Sequence, residues 1–348
     1  MRNSIGFIAV GQGGGNIGNL FEQKGHNVLY INTSQKDLDT LTNVKHTYHI
    51  ANGEGCNKDR DKAKHLIIED FTSIMSHIEE KLSEDYIFVI FSSGGGTGSG
   101  SSPMLIDLLL QNTKKKVGVI TILPSKQDSV RAYINAYECF SELEDIEKLG
   151  ATFIIDNNKE DNLVSNHMFA GLFTSLIEIP EHIDTRGNVD EAEIKEILGT
   201  RGATVLAKLD KNSSSTANLI KALSDGIFAG LEQDRVIKYL ALSAATTIDL
   251  DAVYKEIGVP LDAFQGRNSS DTVCVIAGLT YPYTLLDQIK QRIEQNQETV
   301  VKNLEATTKT RLVGNVNFLN PIVSESAVAE EEKPQTSQDI FAKYMRRG

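Results

Sequence analysis

Residues 94 to 100 read Gly-Gly-Gly-Thr-Gly-Ser-Gly. Glycine loses more backbone freedom on folding than any other residue, so such a run persists only where something uses the bare backbone. It follows the apolar stretch Tyr86 to Phe91 and precedes a helix-like stretch from about 100 to 112. A strand-to-helix turn exposes amide N–H groups and the positive end of the helix dipole, and the expected ligand is an anion. The plain alternative is a tight turn with no ligand.

A second glycine-rich turn, Gly11-Gln12-Gly13-Gly14-Gly15-Asn16-Ile17-Gly18, follows the candidate strand Ile5 to Val10 and opens the first helix. Gly13, Gly15 and Gly18 also satisfy the dinucleotide fingerprint G-x-G-x-x-G, which makes an NAD-binding Rossmann enzyme the rival reading. That reading needs an acidic residue about 20 positions on, at the end of the second strand. Here Val28 to Ile31 runs into Asn32-Thr33-Ser34 instead. Two anion-cradling loops suggest two or three phosphates held between them. Neither has the lysine of G-x-x-x-x-G-K-[ST], so neutralisation falls to amides, dipoles and Mg²⁺.

Short β-branched runs alternate with polar helical ones through the first half. Further strands are expected at Asn27 to Ile31, Val117 to Leu123 and Thr152 to Asp156, with helices near 15–24, 61–82 and 128–148. This pattern predicts an α/β fold with a Rossmann-like doubly wound domain over 1–160. Leu163 to about Ile179 is apolar nearly all round and predicts a buried central helix within 161–186, ending at Pro180. Mixed signals over 187–282 predict a smaller α/β domain: strands Ala203 to Leu209, Lys238 to Thr246 and Asp271 to Gly278, and helices Thr216 to Leu231 and Asp249 to Ile257. A long amphipathic helix is expected over 283–313, carried by Leu285, Ile289, Ile293, Val300 and Leu304. Residues 314–348 have the composition of a flexible tail whose end regains an apolar face.

A net charge of −12 argues against the globular body wrapping DNA by itself. The apolar runs stop far short of the roughly 20 residues of a membrane span, and no charged-then-apolar leader opens the chain, so a cytoplasmic protein is expected. Cys56, Cys139 and Cys274 are too scattered for a disulfide framework. His46, His49 and Cys56 lack a second pair at ligand spacing, and no protein metal site is expected.

The motif Gly94 to Gly100 matches the GGGTG[ST]G signature of the tubulin/FtsZ superfamily, and the resemblance runs in order from Gly11 to about Gly278. It implies that GTP or GDP is held by Gly11, Gln12, Gly13, Gly14, Gly15 and Asn16 of the first loop and Asn32 of the second. Gly53, in Ala51-Asn52-Gly53-Glu54-Gly55, resembles the loop near the γ-phosphate. Gly94, Gly95, Gly96, Thr97, Gly98 and Ser99 form the signature loop. Asp128 and Arg131 resemble the ribose-facing loop, with Asp where FtsZ proteins have Glu and the Arg displaced by one. Asn157 resembles the residue beside sugar and base, and Asn166 the residue that reads guanine. Four residues earlier the family usually stacks Phe or Tyr on the base, and here Asn162 stands there.

Asn188-Val189-Asp190-Glu191-Ala192-Glu193 matches the family's N-x-D-x-x-[DE] loop, whose carboxylates act on a neighbouring subunit's nucleotide. From Asn166 to Asp190 is mostly helix, on the order of 30 Å, so a monomer's own acids are out of reach of its own nucleotide. The resemblance implies that Asp190 and Glu193 orient and polarise water, with Asn188 shaping the loop; carboxylates are poor proton sinks at neutral pH. The plain reading is a helix start with Asn188 as N-cap and acids in the first turn. Both are expected to hold together.

The long charged helix and tail after Ala277-Gly278-Leu279 resemble the TubZ branch, tubulin-like proteins of plasmids and phages that segregate DNA. This implies a filament-forming GTPase activated by self-assembly. It also implies a DNA-binding adaptor protein, at a centromere-like site, that takes the tail region. Ile340, Phe341, Tyr344 and Met345 with Lys343, Arg346 and Arg347 suit a docking peptide, the plain alternative being a solubilising frayed terminus. The alternative is a cell-division ring GTPase of the FtsZ type.

Overall fold

The computed structural model describes residues 1–307 and 337–345, with the side chains of 298–307 excepted. The Val300 and Leu304 side chains, the end of the helix expected over 283–313 from residue 308 on, the tail from 314 to 336, and Arg346 and Arg347 lie outside the described residues.

The chain runs β1 (Ile5–Val10), α1 (Gly11–Gln23), β2 (Asn27–Asn32), α2 (Gln35–Asp39), β3 (His46–His49), α3 (Arg60–Glu69), α4 (Phe71–Lys81), β4 (Tyr86–Ser92) and α5 (Thr97–Asn112). It continues through β5 (Lys116–Leu123), α6 (Val130–Glu144), β6 (Ala151–Asp156), α7 (Asn162–Glu178), α8 (Glu191–Gly199), β7 (Gly202–Asp210) and α9 (Thr216–Asp225). The remainder is β8 (Ile237–Ala244), α10 (Leu250–Ile257), β9 (Pro260–Arg267), β10 (Asp271–Leu279), α11 (Tyr283–Thr307) and α12 (Ser337–Met345). None of the helices among the described residues is long and apolar enough to cross a membrane.

Among the described residues the strands form one sheet in the order β3-β2-β1-β4-β5-β6-β7-β10-β8-β9. The pairings from β3 to β7 are parallel, while β10 pairs antiparallel with both β7 and β8. The expected boundary near 187 is thus no break in the sheet, since Ala151 to Phe153 of β6 pair with Gly202 to Thr204 of β7. Strand order reverses between β1 and β4, and at such a switch point the loops leaving the carboxyl ends part to leave a crevice. The two glycine-rich loops leave those two strands.

An aromatic cluster fixes α1 and α7 against the sheet. Phe7 of β1 stacks on Phe21 of α1 at 4.1 Å, and Phe173 of α7 meets Phe88 of β4 at 5.2 Å and Phe7 at 5.7 Å. Phe169 meets Phe153 of β6 at 5.5 Å. Each fully buried ring contributes on the order of 2–3 kcal/mol by removal from water. The same contacts set the height of Asn166, one turn before Phe169.

Six elements differ from the sequence reading: helix α2 was not expected, and α12 is an ordered helix within the stretch 314–348 expected to be a flexible tail. The helix expected over 61–82 is two helices, interrupted at Asp70, whose carboxylate accepts from Tyr48 Oη (2.6 Å) and the Ala51 N–H (2.9 Å). The helix from Thr216 stops at Asp225, because the chain turns at Gly226 to place Phe228 against Ile155. Strands β3 and β9 were not expected. Each occupies an edge of the sheet, where little of the surface is buried and the apolar alternation is weak.

Candidate functional site

Both loops open helices whose first N–H groups no side chain caps. The N-cap positions are Val10 for α1 and Gly96 for α5, and neither makes a side-chain cap bond. A helix terminus left open in this way is an anion site.

Close packing brings the two together. Gly11 has φ +69°, a left-handed conformation that suits glycine, and a Cβ there would stand 3.3 Å from the Gly98 nitrogen. A Cβ on Gly96 would lie 2.8 Å from the Lys58 backbone, so the 56–59 turn folds over the signature loop. The hydroxyls of Thr33 and Thr97 lie 2.7 Å apart, tying the end of β2 to the first turn of α5. Pro103 inside α5 has no N–H for the Ser99 carbonyl, and Arg60 Nη2 donates to that carbonyl at 3.0 Å.

The result is a cleft of ≈ 530 Å³. Gly11, Gln12, Gly13, Asn16, Asn32, Gly95, Gly96, Thr97 and Gly98 line it, as do Asp128, Asn157 and Asn166. Gly14, Gly15, Gly53, Gly94, Ser99 and Arg131 do not. Gly14 backs the loop, where a Cβ would meet the Ile90 carbonyl oxygen at 2.2 Å. Gly53 lies against the Thr33 backbone, Gly94 against Ala132 and Pro124, and the Ser99 hydroxyl donates to the Gly95 carbonyl. Arg131 Nε donates to the Lys58 carbonyl at 3.0 Å and so braces the turn from behind.

Asn57 and Lys58, passed over in the sequence, line the cleft with φ +46° and +59°. Lys58 Nζ donates to Ser129 Oγ at 3.0 Å and lies 3.9 Å from Asp128, which makes it a cation on the cleft wall. The signal available was an Asn-Lys pair in a short polar turn after the Gly53–Gly55 loop. Ser34, Asp37 and Asn162 also line the cleft.

The base end is polar. Asn157 and Asn166 each carry a buried side-chain oxygen with no partner, and Asn166 is 6% exposed. Unpaired acceptors facing a cleft suit a ligand edge rich in N–H donors. An acid at the end of β2, which a dinucleotide ribose needs, is replaced by Asn32, so the NAD reading finds no support.

Asn188, Asp190 and Glu193 are not in this cleft. They follow the far end of α7, whose 17 residues span roughly 25 Å. Asp190, and not Asn188 as expected, caps α8, in a full capping box with Glu193, because the Asn188 Oδ1 is taken by the Asp184 N–H at 2.6 Å. The Arg186 side chain and N–H donate to the Asp184 carboxylate and hold its pKa well below the usual range. The Gly187 carbonyl accepts from the Arg267 N–H at 3.0 Å, fastening the loop to β9. Exposed apolar side chains flank both places: Leu163, Val164 and Met168 on the first turns of α7, and Ile183 beside the acidic loop.

A model of the Tubulin/FtsZ family, GTPase domain, matches residues 4–164. The tubulin-like protein TubZ of Clostridium botulinum C phage is 31% identical over 99% of this chain and 100% of its own. The structure of tail-truncated TubZ from Clostridium botulinum phage c-st matches with TM-score 0.78 at 31% identity, covering 86% of this chain and 99% of that one. A GTPγS-form protofilament of Bacillus thuringiensis serovar israelensis TubZ has the same fold, with TM-score 0.74 at 16% identity, covering 86% of this chain and 94% of that one. Two uncapped glycine-opened helices at one cleft, and likeness to phage TubZ along nearly the whole chain, lead to one conclusion: the chain belongs to the tubulin/FtsZ family and is a GTPase.

Proposed function

We propose that this chain assembles head to tail into cytoplasmic filaments that move plasmid or phage DNA, and that it hydrolyses GTP where the cleft of one subunit meets the acidic loop of the next. The observation that carries this reading is the separation of cleft and acidic loop by the length of α7. Binding and chemistry reside at opposite ends of one subunit, and a heterologous contact brings them together. The exposed apolar side chains at both ends, Leu163, Val164 and Met168 against Ile183, suit such a contact. The B. thuringiensis TubZ relative forms a protofilament.

Residues 1–160 hold the nucleotide, with the amides of Gly11 to Asn16 and Gly94 to Ser99 on the phosphates and Asn157 and Asn166 on guanine. Gly53 and Arg131 shape the turns over the γ-phosphate and ribose. Mg²⁺ bound with the nucleotide would be held by phosphate oxygens and one or two carboxylates. Asp37 and Asp128 are the carboxylates on the cleft wall among the described residues, and either could hold it while it neutralises phosphate charge. The central helix, 161–186, joins this part to 187–282, which carries Asn188, Asp190 and Glu193 to the neighbour. There the two carboxylates orient and polarise the attacking water. The helix of 283–313 leads to the tail of 314–348, which an adaptor protein bound at a centromere-like site takes up. A body with net charge −12 leaves DNA contact to that adaptor.

The test is sedimentation and electron microscopy with GTP, GTPγS or NAD, together with a plasmid or phage inheritance assay. Filaments are expected with the guanine nucleotides alone, and faster loss of the replicon with Glu193→Ala. Failure to sediment with any guanine nucleotide would sink the assembly reading. Filaments with no influence on inheritance would sink the DNA-moving role.

A further inference from the structure

Helix α12 lies antiparallel across α5, over a groove formed with α3 and the start of α4. Ile340 and Tyr344 are both 0% exposed, and the Phe341 ring meets the Phe71 ring edge-on at 5.4 Å. Polar contacts set the register. Ser337 Oγ donates to Asn112 Oδ1 at 3.3 Å, and Lys343 Nζ donates to Asp107 Oδ2 at 2.9 Å. Lys64 Nζ donates to the Tyr344 carbonyl at 3.4 Å, placing a cation at the negative end of the α12 dipole. Lys64 is itself 2% exposed and paired with Glu142 at 2.9 Å. Both of its charged partners, Glu142 and Asp61, belong to the body, so the groove floor stands independently of α12.

A helix of 9 residues is marginal in water by itself and needs a surface to form against. We propose that the α3–α5 groove is a binding site for a short amphipathic helix with an Ile-Phe-x-Lys-Tyr pattern, apolar at the first, second and fifth positions and cationic at the fourth, and that α12 of the same chain is its occupant. The ligand pays its ordering entropy on docking, and the site is exchangeable. The side chains that make the tail end adhesive are thereby withheld from anything else. A protein that grips the tail by Ile340 and Tyr344 must first displace it, and its apparent affinity falls by the fraction of time the helix is free. The inference stands on the contacts of α12 and not on the existence of an adaptor.

The test is fluorescence anisotropy of a fluorescein-labelled peptide of residues 335–348 titrated with full-length protein. The full-length variant Ile340→Asp/Tyr344→Asp, whose own helix no longer docks, is expected to bind the peptide saturably. The wild type, with its groove filled, is expected to bind at least about tenfold more weakly. Adding Asp107→Lys to the double variant weakens the peptide about tenfold, and Lys343→Asp in the peptide recovers most of that loss. GTP binding by each variant reports an intact fold, and Asp107→Asn replaces Asp107→Lys if the latter loses it. No saturable binding to the double variant overturns the site. Equal binding to the wild type overturns occupancy by the chain's own helix. Indifference to the charge at 107 overturns the seating of Lys343.

Discussion

The backbone N–H of Asp190 donates to Glu193 Oε2 at 2.7 Å, and the N–H of Glu193 donates back to Asp190 Oδ1 at 2.9 Å. The two acids proposed for water activation are therefore also the capping box that starts α8, and the two roles need separating. Glu193→Gln keeps an acceptor for the Asp190 N–H and removes the charge, whereas Glu193→Ala removes both. The alanine variant should lose about 1 kcal/mol of stability and the glutamine variant much less. Both should bind GTP and form filaments while phosphate release falls by about 100-fold or more. Melting curves and phosphate release on the two variants check this, and normal turnover in Glu193→Gln removes the carboxylate from the mechanism.

Gly14 and Gly95 make a contrasting pair. A Cβ at Gly14 would press on the Ile90 carbonyl oxygen at 2.2 Å, while at Gly95 its nearest neighbour is the Ser92 carbonyl oxygen at 3.7 Å. Gly14→Ala is expected to destabilise the fold by about 2–4 kcal/mol, because backbone cannot give way as a side chain can. Gly95→Ala should leave the melting temperature nearly unchanged and weaken GTP about tenfold or more, since its methyl enters the cleft. Denaturant unfolding with calorimetric GTP titration separates the two outcomes.

Asn166 offers an unpaired buried oxygen toward the cleft. Asn166→Ala is expected to weaken GTP roughly 10- to 100-fold, the worth of one or two hydrogen bonds in a sheltered site. Calorimetry against GTP, with ATP as the control that should remain a poor ligand, measures it. Unchanged GTP affinity would move guanine recognition elsewhere, with Asn157 the next residue to examine.

His26 packs edge-on against both rings of the Phe7–Phe21 stack, and burial, with Arg2 adding to it, pushes its pKa from 6.5 down to about 4. Its folded pKa lies below its unfolded one, so the unfolded chain binds the proton more readily. The stability is present above pH 6.5 and is lost as pH falls from 6.5 through 4, about 3 kcal/mol in all. By pH 5.5 about 1 kcal/mol should be gone. Urea midpoints at pH 7.5 and 5.5 should differ in the wild type and much less in His26→Gln.

The glycine-rich loops of the cleft and the acidic start of α8 were legible because their signals are local. Glycines at a strand–helix turn and carboxylates at a helix start mark themselves by residue type within a few positions. What stayed hidden depends on distant partners. Asp70 breaks the 61–82 stretch because Tyr48 and the Ala51 N–H claim its carboxylate, and neither is near it in sequence. Lys58 joins the cleft because Gly96 admits its backbone to close approach. Strands β3 and β9 were missed because edge strands such as His46–His49 need not alternate apolar and polar residues. The apolar face of α12 was plain in the sequence, while its seat beside Asp107 and Phe71 was not.

The central claim is that a complete active site forms only between subunits. Phosphate release and sedimentable protein, measured together over a range of protein concentrations at saturating GTP, test it most directly. The account predicts one shared critical concentration, with negligible turnover below it and turnover proportional to polymer above it. Turnover per subunit that stays constant down through the unassembled range would contradict it.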